Sequence, residues 1–107
     1  MGPTGSPGAS FAELPNFIFT PTNGSTINPS ASNFNIINPA SGISSLTINL
    51  PSVVDGTKMY FKFSENVSSV TWTGSGGDII KGINNPGAIL AGVLIVWIYD
   101  AGTTSWL

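Results

Sequence analysis

Two runs of alternating residues constrain this chain most. Leu46, Ile48 and Leu50 alternate with Thr47 and Asn49, and Met59, Phe61 and Phe63 alternate with Tyr60 and Lys62. Successive side chains of an extended strand point to opposite faces, so an apolar residue at every second position marks a half-buried strand. Pro51 and the pair Asp55-Gly56 stand between the runs, and Asp-Gly suits a tight reversal that needs positive φ. The pattern predicts an antiparallel strand pair over residues 46–63 with one apolar face. Such a pair is marginal in water on its own, so its apolar face needs a cover.

The rest of the chain offers more short strands. Residues 17–20, 26–27 and 34–38 have β character, with Pro29, Pro39 and Gly42 between them arguing against central positions in a sheet. A strand carrying Val67, Val70 and Trp72 ends at Thr73. Residues 79–80, the long Val/Ile/aromatic run 89–99 and residues 105–107 complete the set. Asn23-Gly24, Asn84-Asn85-Pro86-Gly87 and Asp100-Ala101-Gly102 mark turns. Residues 11–14 suit one turn of helix at most. The expected fold class is all-β: a small antiparallel sandwich or barrel-like module, of jelly-roll or fibre type. Residues 1–10 read as a leader, 11–45 as a connecting segment of short strands and 46–107 as the β-rich module, with 11–107 forming one domain.

Composition removes whole classes of function. Cysteine and histidine are both absent, so there is no disulfide, no thiolate metal site and neither the usual zinc ligand nor the usual general base. Lys58, Lys62 and Lys81 are the only cations among the side chains and cannot build the basic patch that nucleic acid requires. The apolar run 88–99 is interrupted by Gly92 and is shorter than the ~20 residues of a membrane helix. Gly74-Ser75-Gly76-Gly77 is followed by Asp78 rather than by a helix start, so it reads as a turn and not a phosphate loop. The acids Glu13, Asp55, Glu65, Asp78 and Asp100 show no paired spacing, and Asp55 and Asp100 lie in turns that favour aspartate for local reasons. The expectation is a non-enzyme with no cofactor, no metal, no nucleic-acid partner and no membrane insertion.

Binding is the remaining class. Trp72 and Trp106 are the candidate contacts for a glycan or receptor, because indole rings stack on sugars; Trp97, inside an apolar run, is assigned to the core. Asn23-Gly24-Ser25 and Asn66-Val67-Ser68 match the glycosylation acceptor pattern, which a chain this rich in Asn and Ser meets by chance. Only 7% of residues are charged, against roughly 25% in an ordinary soluble domain. A polar but uncharged surface suits extracellular β structures and virus particles. Gly2-Pro3-Thr4, Gly5-Ser6-Pro7 and Gly8-Ala9-Ser10 are Gly-X-Y triplets in register, as at the axis of a collagen triple helix. A flexible Gly/Pro/Ser leader explains the same residues equally well.

Taken together, Leu50-Pro51, the Gly-led strand 56–63, the segment 76–82 with its Gly-Gly-Asp-Ile-Ile-Lys-Gly pattern and the closing stretch from Asp100 to Trp106 resemble a β-rich module of phage and viral fibre, spike and receptor-binding proteins. The likeness covers about residues 44–107. It implies a homotrimer at the virion surface, a structural role and host attachment through a protein or glycan receptor. It also favours the collagen-like reading of Gly2, Gly5 and Gly8 as trimer-axis residues, with the N-terminal region contacting shaft or capsid proteins. A capsid-decoration or vertex-anchoring protein and a small carbohydrate-binding module are the alternatives. On this view Leu46, Ile48, Leu50, Met59, Phe61, Phe63, Ile95 and Trp97 fill the core or the subunit interface. Some of them, or the apolar residues of 89–98, become buried only when three chains meet.

Overall fold

The computed structural model describes residues 16–31 and 34–107. The triplets with Gly2, Gly5 and Gly8, the helical turn expected over 11–14 and Glu13 lie outside the described residues. Ten strands follow one another: β1 (Asn16–Phe19), β2 (Ser25–Ile27), β3 (Phe34–Ile37), β4 (Leu46–Asn49), β5 (Lys58–Phe63), β6 (Val67–Thr73), β7 (Ile79–Ile80), β8 (Gly87–Ile89), β9 (Leu94–Asp100) and β10 (Ser105–Trp106). A short 3₁₀ turn, Ser75–Gly77, precedes β7.

The strands form two sheets, and the chain alternates between them. The six-stranded sheet has the order β1-β3-β5-β9-β10-β7 and the four-stranded sheet the order β2-β4-β6-β8. β1, β3 and β5 are parallel neighbours, as are β2, β4 and β6. Each coil thus lays one strand on each sheet and returns in the same direction one strand spacing further on. This is a β-solenoid, not the antiparallel sandwich or barrel expected from the sequence. The chain then changes course: β8 pairs antiparallel with β6, and β9 antiparallel with β5, so the last coil closes on the earlier ones in the opposite sense. Both sheets draw strands from either side of residue 45, where the sequence had suggested a boundary.

Three expectations are corrected by this topology. First, residues 46–63 are not a hairpin: β4 lies in one sheet and β5 in the other. The Asp55-Gly56 turn forms, with Gly56 at φ 81° and the Thr57 N–H donating to the Val54 carbonyl, but it turns a corner between sheets. Second, β3 is a central strand despite the nearby prolines, whereas β2 lies at the edge of its sheet as expected. Pro29 and Pro39 lie outside the strands, buried at the corners, where the missing N–H disturbs no ladder. Third, the run 89–99 is split. Gly92 (φ 87°) sits in a turn between β8 and β9, which belong to different sheets.

The cover of the apolar face is the same chain's other sheet. Leu46, Ile48 and Leu50 from β4 and its exit, and Met59, Phe61 and Phe63 from β5, point inward from opposite sheets and are all buried. Val67, Val70 and Trp72 from β6, Ile37 from β3, and Trp97 and Tyr99 from β9 complete this core. Full burial of one such side chain contributes about 1.5–3 kcal/mol. Trp72 is at the centre: its ring makes edge contacts with Phe61 at 5.1 Å, Trp97 at 5.2 Å and Phe63 at 6.4 Å between centroids. Asn35 is also buried, and its Nδ2 donates to the Tyr60 carbonyl at 3.1 Å.

Candidate functional site

The two tryptophans expected to contact a ligand do not reach the surface. Trp72 is 2% exposed and Trp106 is fully buried, the latter packed on Tyr99 with ring centroids 5.1 Å apart. The physical reason is strand direction: Trp72 follows Val70 on the inward face of β6, and Trp106 lies opposite Tyr99 on the inward face of β10. Neither ring offers a face to a sugar. Among the residues assigned to core or interface, Leu46, Ile48, Leu50, Met59, Phe61, Phe63 and Trp97 are buried within one chain, and Ile95 is partly buried against them.

The carboxylates of Asp55, Asp78 and Asp100 serve the backbone or a neighbouring hydroxyl. Asp55 accepts from the Ala101 N–H at 2.9 Å, tying the β4–β5 corner to the β9–β10 turn. Asp100 accepts from the Gly102 N–H and from Thr103 Oγ1, which shapes that turn locally. Asp78 accepts from the Tyr99 hydroxyl at 2.9 Å. This bond, then burial, then the negative charges of Asp78, Asp100 and Asp55 hold the Tyr99 phenol above its ordinary value. No group of three or more potential metal-binding side chains occurs among the described residues. The amides of both glycosylation-pattern asparagines are engaged: Asn23 Oδ1 accepts from Ser44 Oγ at 2.8 Å, and Asn66 Oδ1 accepts from the Ala91 N–H at 2.8 Å.

What remains for function is the pair of outer sheet faces, and they differ sharply. On the six-stranded sheet the register aligns Phe34 with Tyr60 and Tyr60 with Val96, Ile36 with Ile18, and Lys62 with Leu94. Phe34 and Tyr60 stack with centroids 5.8 Å apart. Ile18 is 63% exposed, Leu94 47%, Val96 42%, Ile98 41% and Leu107 50%. Lys58 and Lys62, with Asp100 at the end of β9, are charges on this face, and Lys62 Nζ donates to the Gly92 carbonyl. Exposed apolar side chains gathered on one face are the kind of surface that partners cover.

The outer face of the four-stranded sheet is polar and uncharged. Thr26 stands beside Thr47, and Thr47 beside Thr71. One step along, Asn49 Nδ2 donates to Asn28 Oδ1 at 2.9 Å, and Thr73 Oγ1 donates to Asn49 Oδ1. Parallel coils stack like residues at about 4.8 Å, which is what lets these side chains bond along the solenoid. Sequence reasoning missed this ladder, although Thr26-Ile27-Asn28 and Thr47-Ile48-Asn49 repeat the same tripeptide. At the corners, an open cleft of about 620 Å³ is lined by Thr20, Thr22, Asn23, Asn38, Ser41 and Glu65 among others.

No protein-family model, no curated protein and no solved structure matches this chain.

Proposed function

We propose that this chain is a structural module of a virus or phage particle, a spike or fibre unit in which three copies pack together and present a surface outward for host attachment. The observation that carries the proposal is the outer face of the six-stranded sheet. Ile18, Leu94, Val96, Ile98 and Leu107 are exposed there in the single chain. Apolar side chains gathered on one face lower the free energy only when something covers them, and other copies of the chain are the partner at hand. The Gly-X-Y triplets add a reason for three copies, since a collagen-like axis holds three chains. The low charge and the fibre-like motifs of residues 44–107 point to the same class.

In such an assembly the threonine and asparagine face of the four-stranded sheet stays outward. It, and not Trp72 or Trp106, becomes the surface offered to a host, and three copies on one tip raise avidity when they engage together. Light scattering on the purified chain tests the assembly. The expected mass is three times 11.1 kDa; a monomer at micromolar concentration overturns the proposal.

A further inference from the structure

The corners that lead from the six-stranded to the four-stranded sheet stack on one side of the solenoid: residues 20–24, 38–45 and 64–66. The middle corner is longer than its neighbours and does not lie flush with them, and the cleft of about 620 Å³ opens beside it. Bonds from one corner to the next hold its walls in place. The Gly24 N–H donates to the Ser45 carbonyl at 3.0 Å, the Asn38 N–H to the Phe19 carbonyl at 2.8 Å and the Ile43 N–H to the Asn66 carbonyl at 3.1 Å. Ser44 donates to Asn23 Oδ1 from both its N–H and its hydroxyl, and Ser64 Oγ donates to Asn38 Oδ1 at 2.7 Å. With their oxygens engaged, these two amides are fixed in orientation, and each keeps its Nδ2 donor for a ligand. Glu65 is half-buried in the same cleft. Unlike Asp55, Asp78 and Asp100, it makes no hydrogen bond or ion pair with a described residue.

We propose that this cleft binds a neutral sugar unit of a host glycan. This rests on the host-attachment reading above and names a site for it. Small-molecule sites are typically clefts of about 300–1,000 Å³ with a few fixed polar groups, and this cleft has that size and build. The chemistry of its lining narrows the ligand. Lys58, Lys62 and Lys81 all lie outside it, and Glu65 repels negative charge, so an anion finds no partner. A wholly apolar ligand would cover the Glu65 carboxylate and leave it unpaired, at high cost. A calcium ion takes about 6–8 oxygen ligands, and no group of three or more metal-binding side chains occurs among the described residues. A sugar ring is neutral and carries hydroxyls that both donate and accept. Adjacent hydroxyls donate to the Glu65 carboxylate, another accepts from Asn23 or Asn38 Nδ2, and the C–H surface of the ring rests on Ile43. The hydroxyls of Thr20 and Ser41, both exposed, add adaptable contacts at the rim. Glycoside hydrolysis commonly uses two carboxylates, and Glu65 is the single one among the lining residues, so the cleft holds the sugar without cleaving it.

Titration of the isotope-labelled full chain with mannose, galactose, glucose and N-acetylglucosamine, followed by nuclear magnetic resonance, tests the site. At least one sugar is expected to shift the backbone amide signals of residues 20–24 and 38–43 and the side-chain amides of Asn23 and Asn38. Glu65→Gln is expected to raise the Kd for that sugar about tenfold or more, the usual effect of losing a hydrogen bond to a charged group. Its urea midpoint should stay that of the parent, because Glu65 bonds nothing within the described fold. Added salt should leave the affinity unchanged, since the ligand carries no charge. Four sugars that move none of these signals overturn the proposal, as does a Glu65→Gln chain that binds as tightly as the parent. A lysine-rich peptide that shifts the cleft signals where the sugars do not, and releases with salt, overturns it in favour of a basic partner. Each measurement reads the single chain. A monomer by light scattering therefore overturns the trimer and leaves the cleft standing, whereas a trimer whose cleft signals stay still overturns the cleft alone.

Discussion

Asn85 completes the edge of β6 with its side chain: its Nδ2 donates to the Trp72 carbonyl and the Trp72 N–H donates to its Oδ1, both at 2.8 Å. β8 pairs with β6 only at Val67 and Val70, across an irregularity in register. Beyond Val70 the amide of Asn85 does what a further strand residue would do. It therefore holds the backbone of the residue whose ring is central to the core.

Replacing Asn85 by alanine strands both backbone groups of Trp72. The expected loss is about 1–3 kcal/mol, the usual cost of leaving partly buried polar groups unpaired. Asn85→Asp keeps an acceptor for the Trp72 N–H but no donor for the carbonyl, and should fall between wild type and alanine. Urea midpoints at constant slope measure both.

Trp72→Ala should remove about 3–5 kcal/mol, because the cavity it leaves is bounded by Phe61, Phe63 and Trp97 from the opposite sheet. A surface tryptophan engaged only with a ligand would leave stability unchanged on removal. Calorimetric unfolding separates the two outcomes, and an unchanged transition temperature would contradict the core position.

The outer ladder of the four-stranded sheet makes a contrasting pair. Asn49 bonds Asn28 on one side and Thr73 on the other, so Asn49→Ala should destabilise by about 1–2 kcal/mol. Thr47, its neighbour along the strand, lies outward with no side-chain hydrogen bond among the described residues. Thr47→Val keeps the branched shape that a sheet favours and should change stability by less than about 0.5 kcal/mol. Chemical denaturation of the two variants side by side tests the contrast.

Tyr99 gives the fold an alkaline limit. Its phenol titrates above the ordinary value in the folded chain, chiefly through the hydrogen bond to Asp78. A group whose folded pKa is raised contributes stability that is whole below the unfolded pKa, about 10, and is lost as pH rises through the folded one. Stability should therefore fall above pH ~10. The diagnostic quantity is the difference between wild type and Tyr99→Phe, which should be pH-independent below ~9 and shrink above ~10. Denaturant midpoints across that window measure it; a constant difference would exclude the linkage.

Much of the strand inventory was legible because period-2 alternation is a property of each strand by itself. β4, β5 and β6 appear where the sequence placed them, with Leu46, Ile48, Met59, Phe61, Phe63, Val67, Val70 and Trp72 all inward. Aromatic rings were harder. Trp72 and Trp106 carry the same chemistry whether they face a sugar or a core, and only their register against Phe61 and Tyr99 shows which. The outward set Leu94, Val96 and Ile98 was hidden for a related reason: residues 94–98 are apolar on both faces, which signals burial without saying by what.

By itself, then, the sequence determined that residues 16–107 are built from short strands, where most of them turn and, for β4 and β5, which side chains turn inward. Pairing was decided only in three dimensions. Asp55-Gly56 says that the chain reverses but not whether it stays in one sheet, and β4 in fact takes its neighbours from β2 and β6, a whole coil away in either direction. A strand's alternation fixes its two faces, whereas its edges bond to whatever backbone arrives beside them. The hairpin expected at 46–63 thus becomes two strands facing each other across the core, each covering the apolar face of the other.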